Sequence, residues 1–261
     1  MRLVRFAALF CCSIALLTSC YDITEDITIQ PSGKGTYVTK IDMGQLMSMV
    51  KNFSQGDSTK DLSAFNQNID STIQLGSLSD ASGAVDPEMK QLLAKASIRL
   101  LIQADSNVFK ITLTAPFDNI NQLQKLQNAL AKAGGGMQAM GKLLGGGSNA
   151  GVNMDSASAI NPTDHLNDIM HTQYTDHLIS RTLDRPAYDS LMRDSSMQQA
   201  KQMAALMGDA KYTTVIHLPR PAKKVQSKAS ILSNDRKTIT LEHSLSDLFY
   251  TPEDMTFTIE Y

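Results

Sequence analysis

Hydrophobic and polar residues alternate near the beginning of this chain. Residues 23–29 have the composition of a β-strand and place Ile23, Ile27 and Ile29 on one face. Pro and Gly residues then mark a turn, and residues 36–41 return as a second strand. The pattern therefore predicts a fold that opens with a β-hairpin.

A helical spacing of apolar residues follows this hairpin. Asp42 suits the N-cap of a helix. One face of that helix carries Met43, Leu46, Met47, Val50 and Phe53. The more polar segment at 54–86 predicts a short helix and then an edge strand from Ser71 to Leu75. The apolar residues of the short helix are Leu62, Phe65 and Ile69.

Stronger signals return at Pro87, which suits the first position of a helix. Strands at 98–103 and 108–114 are predicted to form a hairpin through the turn at 104–107. Pro116 and Phe117 should end the second strand. Asp118 should then cap a helix with apolar residues at Ile120, Leu123, Leu126 and Leu130.

The C-terminal part predicts a strand at 173–183 and one helix that begins at Arg185-Pro186 and ends at Gly208. A β-meander should follow, with strands at 212–218, 225–232, 237–242 and 255–261. Asn234-Asp235-Arg236 is expected to turn its central hairpin. Hairpins alternating with single helices predict an α+β fold, with an antiparallel sheet and helices packed on one face.

The N-terminus has a different pattern. Arg2 and Arg5 precede an uncharged stretch of 12 residues at 6–17, which is too short to span a bilayer as a helix. The tetrad Leu17-Thr18-Ser19-Cys20 follows, and it resembles the lipobox of bacterial lipoproteins. The resemblance implies that residues 1–19 are a cleaved signal peptide and that Cys20 is acylated. We expect residues 20–261 to form a single domain.

The charge and the cysteine content limit the classes of partner and cofactor that we expect. The chain has 24 basic and 26 acidic residues, and loss of Arg2 and Arg5 with the signal leaves a net charge of −4. Charges of both signs are interspersed, so nucleic-acid binding is not expected. The other cysteines, Cys11 and Cys12, lie within the signal, which leaves Cys20 as the only cysteine of the mature chain. We expect no cofactor, no metal, and membrane attachment through the lipid on Cys20.

Sorting signals leave two locations open. Tyr21 after the cysteine indicates the bacterial outer membrane under the enterobacterial sorting pattern. Asp22, Glu25 and Asp26 resemble the acidic surface-export signals of some Bacteroidetes lipoproteins, so periplasmic and surface exposure both stay open. The short spacing between Cys20 and the first strand predicts a domain held against the bilayer.

Glycine is concentrated at residues 134–163, which we interpret as a long flexible loop inserted in the domain. The run from Gly136 to Lys142 approaches a phosphate-binding loop but is followed by Leu143 and does not follow a strand, so we interpret it as a chance match. Four apolar residues in this loop suggest a mobile lid or a membrane-touching segment, with incidental hydrophobes as the alternative. They are Met137, Met140, Leu143 and Leu144.

Candidate catalytic chemistry is sparse. His165, His171 and His177 recur every sixth residue, a spacing that suits neither a helical nor a strand metal site, so surface histidines are expected. His217 and His243 lie on predicted strands and should be half-buried or at a sheet edge. No nucleophile elbow or catalytic cysteine is present in the sequence. A non-enzyme is therefore the favoured prediction, with an envelope hydrolase as the minor alternative.

Methionine is abundant and tryptophan is absent. Met47, Met203 and Met207 lie on apolar helix faces, where core packing is favoured over a plastic apolar groove.

Four segments carry a resemblance to LppM-like lipoprotein domains and to uncharacterised Bacteroidetes-type lipoproteins. They are Ile29–Tyr37, Tyr212–Pro219, Ser233–Thr240 and Leu245–Leu248. The resemblance implies an α+β fold and lipid or glycolipid binding. The sequence thus predicts an acyl-anchored envelope lipoprotein that binds a lipid, an amphiphile or an envelope protein. A structural or assembly module without a small ligand is the alternative.

Overall fold

The fold is α+β, with large antiparallel sheets and six α-helices in the part of the chain described by the computed structural model. The structure describes residues 22–45, 48, 68–76, 87–132, 166–207 and 210–261. The strands are β1 (Asp22–Ile29), β2 (Gly35–Asp42), β3 (Ile69–Gln74), β4 (Ser97–Gln103), β5 (Val108–Phe117), β6 (Met170–Tyr174), β7 (Leu178–Leu183), β8 (Lys211–His217), β9 (Lys224–Gln226), β10 (Ser230–Leu232), β11 (Thr238–Ser244) and β12 (Phe257–Glu260). The α-helices are α1 (Pro87–Leu93), α2 (Leu123–Lys132), α3 (Leu166–Ile169), α4 (Arg185–Leu191), α5 (Ser195–Met207) and α6 (Leu245–Tyr250). Short 3₁₀ helices lie at Ile120–Gln122 and Pro252–Met255.

An eight-stranded sheet forms the larger layer, in the order β10-β11-β8-β1-β2-β5-β4-β3. Strand β1 lies inside this sheet, antiparallel to β2 and parallel to β8. Its alternating pattern turns Ile23, Ile27 and Ile29 toward the core, as predicted. The other strands pair antiparallel with their neighbours.

A four-stranded sheet forms the second layer, in the order β6-β7-β12-β9. Its buried side chains, among them Ile179 and Ile259, belong to the same hydrophobic cluster as Ile27 and Ile216 of the larger sheet. The two sheets therefore pack face to face around one apolar core.

A second hydrophobic cluster lies where β1 begins. Ile23 and Tyr212 pair across β1 and β8, and both pack in this cluster with side chains of the helices. The helical contributors include Met197 of α5 and Leu245, Leu248 and Phe249 of α6. We call this end of the sandwich the helical end.

Several predicted elements are confirmed. The first hairpin, the edge strand in the segment 71–75 and the helix start at Pro87 are all present. Asn234–Arg236 turns the β10–β11 hairpin, and Arg236 has a positive φ of 57°.

The predicted strand at 173–183 is wrong, because this segment contains a hairpin. Strand β6 ends at Tyr174, and the backbone N–H of Thr175 donates to the carbonyl of Leu178 to close the turn. The hydroxyl of Thr175 also accepts from the amide of Leu178. These polar turn residues interrupt an otherwise continuous strand composition.

The single helix expected after Arg185 is wrong as well. The structure has α4 and α5, separated at residues 192–194. The Oδ1 atom of Asp194 accepts from the backbone amide of Ser196, so Asp194 caps a new helix at this point.

The C-terminal meander is also incorrect. The predicted strand 225–232 divides into β9 and β10, which belong to different sheets. Strand β12 likewise pairs with β7 and β9 in the smaller sheet. The chain leaves one sheet for the other at residues 227–229, where the backbone amide of Ala229 donates to the hydroxyl of Ser227.

The end of β5 differs from the prediction in two respects. Pro116 lies within the strand, because β4 no longer pairs at this level and no ladder hydrogen bond is needed on that side. The residue that caps the following turn is Asn119, whose Oδ1 accepts from the amide of Asn121, while Asp118 forms ion pairs instead.

Several expectations concern residues outside the described ranges. They include the signal peptide, acylated Cys20, the apolar helix residues Leu46, Met47, Val50 and Phe53, the short helix at Leu62 and Phe65, and the loop at 134–163. Ile69, which was expected on that short helix, is instead the first residue of β3 and pairs with Ile102 of β4.

Candidate functional site

A groove lies between α1 and α2, beside the end of β5. It has a volume of about 490 Å³. This is within the range of about 300–1,000 Å³ that is typical of small-molecule sites. We call it the α1–α2 groove, and it is lined by Gln91, Leu92, Lys95, Pro116, Phe117, Asp118, Asn119, Asn121, Gln122, Lys125 and Leu126.

The groove has an apolar floor because of the way α2 and β5 meet. Leu126 and Phe117 face the core, whereas Leu92 and Pro116 are half-buried and leave apolar surface accessible. Leu126 belongs to the buried stripe of α2, and Gln124, Lys125 and Asn128 of the same helix are exposed.

Gly35 allows the floor to form. A Cβ atom at this position would lie 2.4 Å from the Cζ atom of Phe117 and 2.0 Å from the carbonyl oxygen of Thr28. Gly35 also pairs with Phe117 across β2 and β5, so the aromatic ring sits directly over the glycine. Only a residue without a side chain permits this approach.

The rim of the groove is polar and carries ammonium groups. The Nζ atom of Lys95 lies 2.9 Å from Oδ2 of Asp118, and the Nζ atom of Lys34 lies 4.0 Å from Oδ1 of the same carboxylate. The hydrogen bond from Lys95 lowers the pKa of Asp118. All three side chains are more than half exposed, so these pairs contribute little to stability. They do keep the rim charged beside an apolar floor.

The groove and the start of β1 are at opposite ends of the sheet. Phe117 pairs with Gly35, and Gly35 pairs with Ile29, the last residue of β1. At about 3.3 Å per residue, β1 separates its first residue, Asp22, from the level of the groove by roughly 23 Å.

A second polar arrangement is buried between the sheets. Glu25 lies on the core face of β1 and accepts hydrogen bonds from the hydroxyls of Tyr37 (2.6 Å) and Tyr212. An Nη atom of Arg181, on β7 of the smaller sheet, lies 3.5 Å from the Glu25 carboxylate. The side chains of Glu25 and Arg181 are only 12% and 7% exposed. We call these four residues the Glu25 cluster.

Neighbouring groups complete this cluster. The Nε atom of Arg181 donates to the hydroxyl of Thr172 at 3.2 Å, and its guanidinium lies over the ring of Phe257. Tyr174 donates to Gln127 of α2 at 3.0 Å, and burial raises the pKa of Tyr174 to about 12. Within the described ranges, every buried side-chain nitrogen or oxygen has a hydrogen-bond partner. A buried network this well satisfied holds the two sheets together and offers no open position to a substrate.

Among the histidines predicted as candidates, His171 and His177 are exposed, as expected. Nε2 of His171 lies 3.1 Å from Oδ2 of Asp184, whereas His177 contacts Asp176 in the β6–β7 turn. The two histidines lie at opposite ends of that hairpin, and His165 is outside the described residues. Across the described ranges, no three His, Cys, Asp or Glu side chains are placed to hold a metal ion together.

The two histidines on strands have different environments. His217 is half-buried, and its Nδ1 lies 3.1 Å from the hydroxyl of Thr238. His243 is buried on β11, an inner strand of the larger sheet, so the expected half-buried or edge position is wrong for it. Its Nδ1 lies 3.9 Å from Oδ2 of Asp247. Burial, reinforced by the nearby charge of Arg181, lowers the pKa of His243.

The methionine predictions fall largely outside what is described. Met47 lies outside the described residues, and so do the side chains of Met203 and Met207. Other methionines are core residues, namely Met43, Met170, Met197 and Met255.

Sequence reasoning missed both the groove and the Glu25 cluster. Strand alternation carried a signal for the second, because Glu25 has the same parity as Ile23 and Ile27, and Arg181 has the same parity as Ile179. The groove is formed by residues 91–126 packing together, and no local pattern indicates it.

No helix in the described part of the chain has the length and hydropathy needed to cross a membrane. Comparisons with protein-family models, curated proteins and solved structures found no match to this chain.

Proposed function

We propose that this chain is an acyl-anchored lipoprotein of the bacterial cell envelope that binds an amphiphilic ligand in the α1–α2 groove. The observation that carries the ligand part is an apolar floor beside a charged rim, in a volume suited to a small molecule. The lipobox-like tetrad that ends at Cys20 supports the anchor.

The chemistry of the groove favours an amphiphile over a purely polar ligand. Leu92 and Pro116 offer apolar surface to an alkyl or ring moiety, while Lys95 and the amides of the rim can bond a headgroup. The Glu25 cluster is enclosed by the two sheets and already satisfied, so we assign it no ligand.

A matched pair of leucine variants tests this proposal. Leu92→Gln places an amide on the floor of the groove, and Leu101→Gln makes the same change at a half-buried leucine of β4 that does not line the groove. Both changes are made in a chain that also carries Cys20→Ala, so that binding of a fluorescent lysophospholipid is measured without an acyl anchor.

We expect Leu92→Gln to weaken binding about tenfold, since losing roughly half of a leucine's burial costs about 1–1.5 kcal/mol. Leu101→Gln should leave the affinity unchanged. If neither the parent chain nor the variants bind any amphiphile, the ligand part is refuted and an assembly module without a small ligand becomes the better proposal.

The anchor is tested separately. In cells given a labelled fatty acid, the parent chain should take up the label and Cys20→Ala should not; the variant should also be released from the membrane in folded form. Retention of Cys20→Ala in the membrane would refute acyl anchoring. Because Tyr21 favours the outer membrane, protease treatment of whole cells then distinguishes surface from periplasmic exposure.

A further inference from the structure

We propose that the helical end is the surface that rests on the bilayer, with Tyr250 and Lys201 at the level of the lipid headgroups. This inference depends on the acyl anchor proposed above, and it adds which face of the domain meets the membrane. The occupant is the headgroup layer of the membrane that holds the acyl chains.

The anchor lies very close to the first strand. Two residues, Cys20 and Tyr21, precede Asp22, the first residue of β1. At a maximum of about 3.5 Å per residue, Asp22 lies within roughly 10 Å of the attachment point of the lipid. The end of the sandwich where β1 begins must therefore stay near the membrane surface.

Helix α6 begins at the same end of the sheet as β1. Asp22 pairs with Lys211 of β8, and Lys211 pairs with Ser244, the last residue of β11 and the N-cap of α6. Two strand spacings of about 4.8 Å place the start of α6 roughly 10 Å from Asp22.

The path of the chain keeps α6 at this end. After β11, α6 and the 3₁₀ helix at 252–255 cross from the larger sheet to the smaller one, where β12 begins. Phe257, the first residue of β12, pairs with Arg181, which contacts Glu25 close to the start of β1. The crossing elements therefore lie at the same end as the tether.

The exposed side chains at the helical end have the chemistry of a membrane interface. Tyr250 is 63% exposed, one of two large hydrophobic residues with high exposure in the described part of the chain. The Nζ atom of Lys201 lies 4.4 Å from the centre of its ring. Tyrosine and lysine both have an apolar body and a polar tip, which suits the boundary between headgroups and acyl chains.

Charge does not explain a preference for the membrane at this end. Arg185 contacts Glu253, and Lys211 lies 3.2 Å from Glu242. These cations are already paired with carboxylates, so we expect the contact to be held by the tether and by Tyr250. With Lys201 as the one cation that we place among the headgroups, the contact should depend only weakly on the fraction of anionic lipid.

The test uses the acylated full-length chain in vesicles of phosphatidylcholine with 20% phosphatidylglycerol, and again without the anionic lipid. Because the mature chain has no other cysteine than Cys20, Thr251→Cys supplies a unique thiol for a fluorescent label next to Tyr250 and leaves Tyr250 itself in place. Ile231→Cys is the matched control, because Ile231 is 59% exposed but lies on β10, opposite Thr240, four residues before Ser244. Lipids with a spin label on the headgroup quench a fluorophore that is close to the surface.

We expect quenching at position 251 to be at least twice that at position 231, in both lipid mixtures. Equal quenching at the two positions, or stronger quenching at 231, would overturn the proposed orientation. Failure of the anchor itself would be recognised separately, because the wild-type chain would then carry a free thiol at Cys20, accept the label and fail to incorporate into vesicles.

Discussion

The Arg181→Met variant tests whether the Glu25 cluster is a structural link between the two sheets. The substitution keeps an unbranched apolar side chain beside Phe257 and removes the positive charge opposite Glu25. The Glu25 carboxylate, 12% exposed, would then be buried with only hydroxyl donors around it. Leaving a buried charge without its partner costs about 3–5 kcal/mol, against a total stability of about 5–15 kcal/mol for a typical domain.

Unfolding in urea is monitored by far-ultraviolet circular dichroism and by tyrosine fluorescence. Tyrosine is the fluorophore because the chain has seven tyrosines and no tryptophan. With a slope near 3 kcal/mol per M, a loss of 3–5 kcal/mol lowers the midpoint by about 1–1.7 M urea. Arg185→Met is the matched control. Arg185 contacts Asp189 and Glu253 but is 57% exposed, so its loss should cost less than about 1 kcal/mol.

A double variant separates charge from packing. Glu25→Gln keeps an oxygen that can accept from Tyr37 or Tyr212 and removes the negative charge. Combined with Arg181→Met, it should recover about 1–2 kcal/mol relative to Arg181→Met alone, because no unpaired charge stays buried. The reasoning is refuted if Arg181→Met is no more destabilising than Arg185→Met, or if the double variant is less stable than Arg181→Met.

Three further predictions follow from the core and the groove. Gly35→Ala should destabilise the domain by more than about 2 kcal/mol and weaken amphiphile binding, because the added Cβ would collide with the Phe117 ring. An unchanged melting temperature and an unchanged affinity would contradict this account of the groove floor. The lowered pKa of His243 means that the unfolded chain binds a proton there before the folded one, so stability should be fully present above pH 6.5 and fall as the pH decreases below it. His243→Gln should flatten that slope in urea titrations at pH 5 to 8, and an unaltered slope would exclude His243 as its source. Asn119→Ala removes the side-chain cap of the 3₁₀ turn before α2 and should cost about 1 kcal/mol, measurable as a lower thermal midpoint; no change would show that the cap is dispensable.

Local signals in the sequence were sufficient for the hairpins and for several element boundaries. Alternation placed Ile23, Ile27 and Ile29 toward the core, and Pro87 began a helix as predicted. These features depend on side-chain parity, turn residues and backbone restrictions, which act within a few residues.

The sheet to which a strand belongs depends on partners that are distant in the sequence. Strands β9 and β10 are separated by three residues and share a similar composition, yet they join different sheets because β12 and β11 pair with them. The ion pair between Glu25 and Arg181 depends on the same arrangement, since the two residues meet only when the sheets pack face to face. Parity could have indicated that each faces inward, but no local pattern could have paired them.

The parallel pairing of β1 with β8 also has a consequence for how the chain is made. Asp22–Thr28 pair with Lys211–His217, so one side of the first strand stays without its hydrogen-bonding partner until nearly the whole chain has been synthesised. Unpaired strand edges promote association between chains. If the chain is exported and acylated as we propose, its N-terminus reaches the membrane well before the sheet can close. We therefore expect chains truncated before residue 211 to aggregate at the membrane, and export to require a chaperone that shields this edge until β8 arrives.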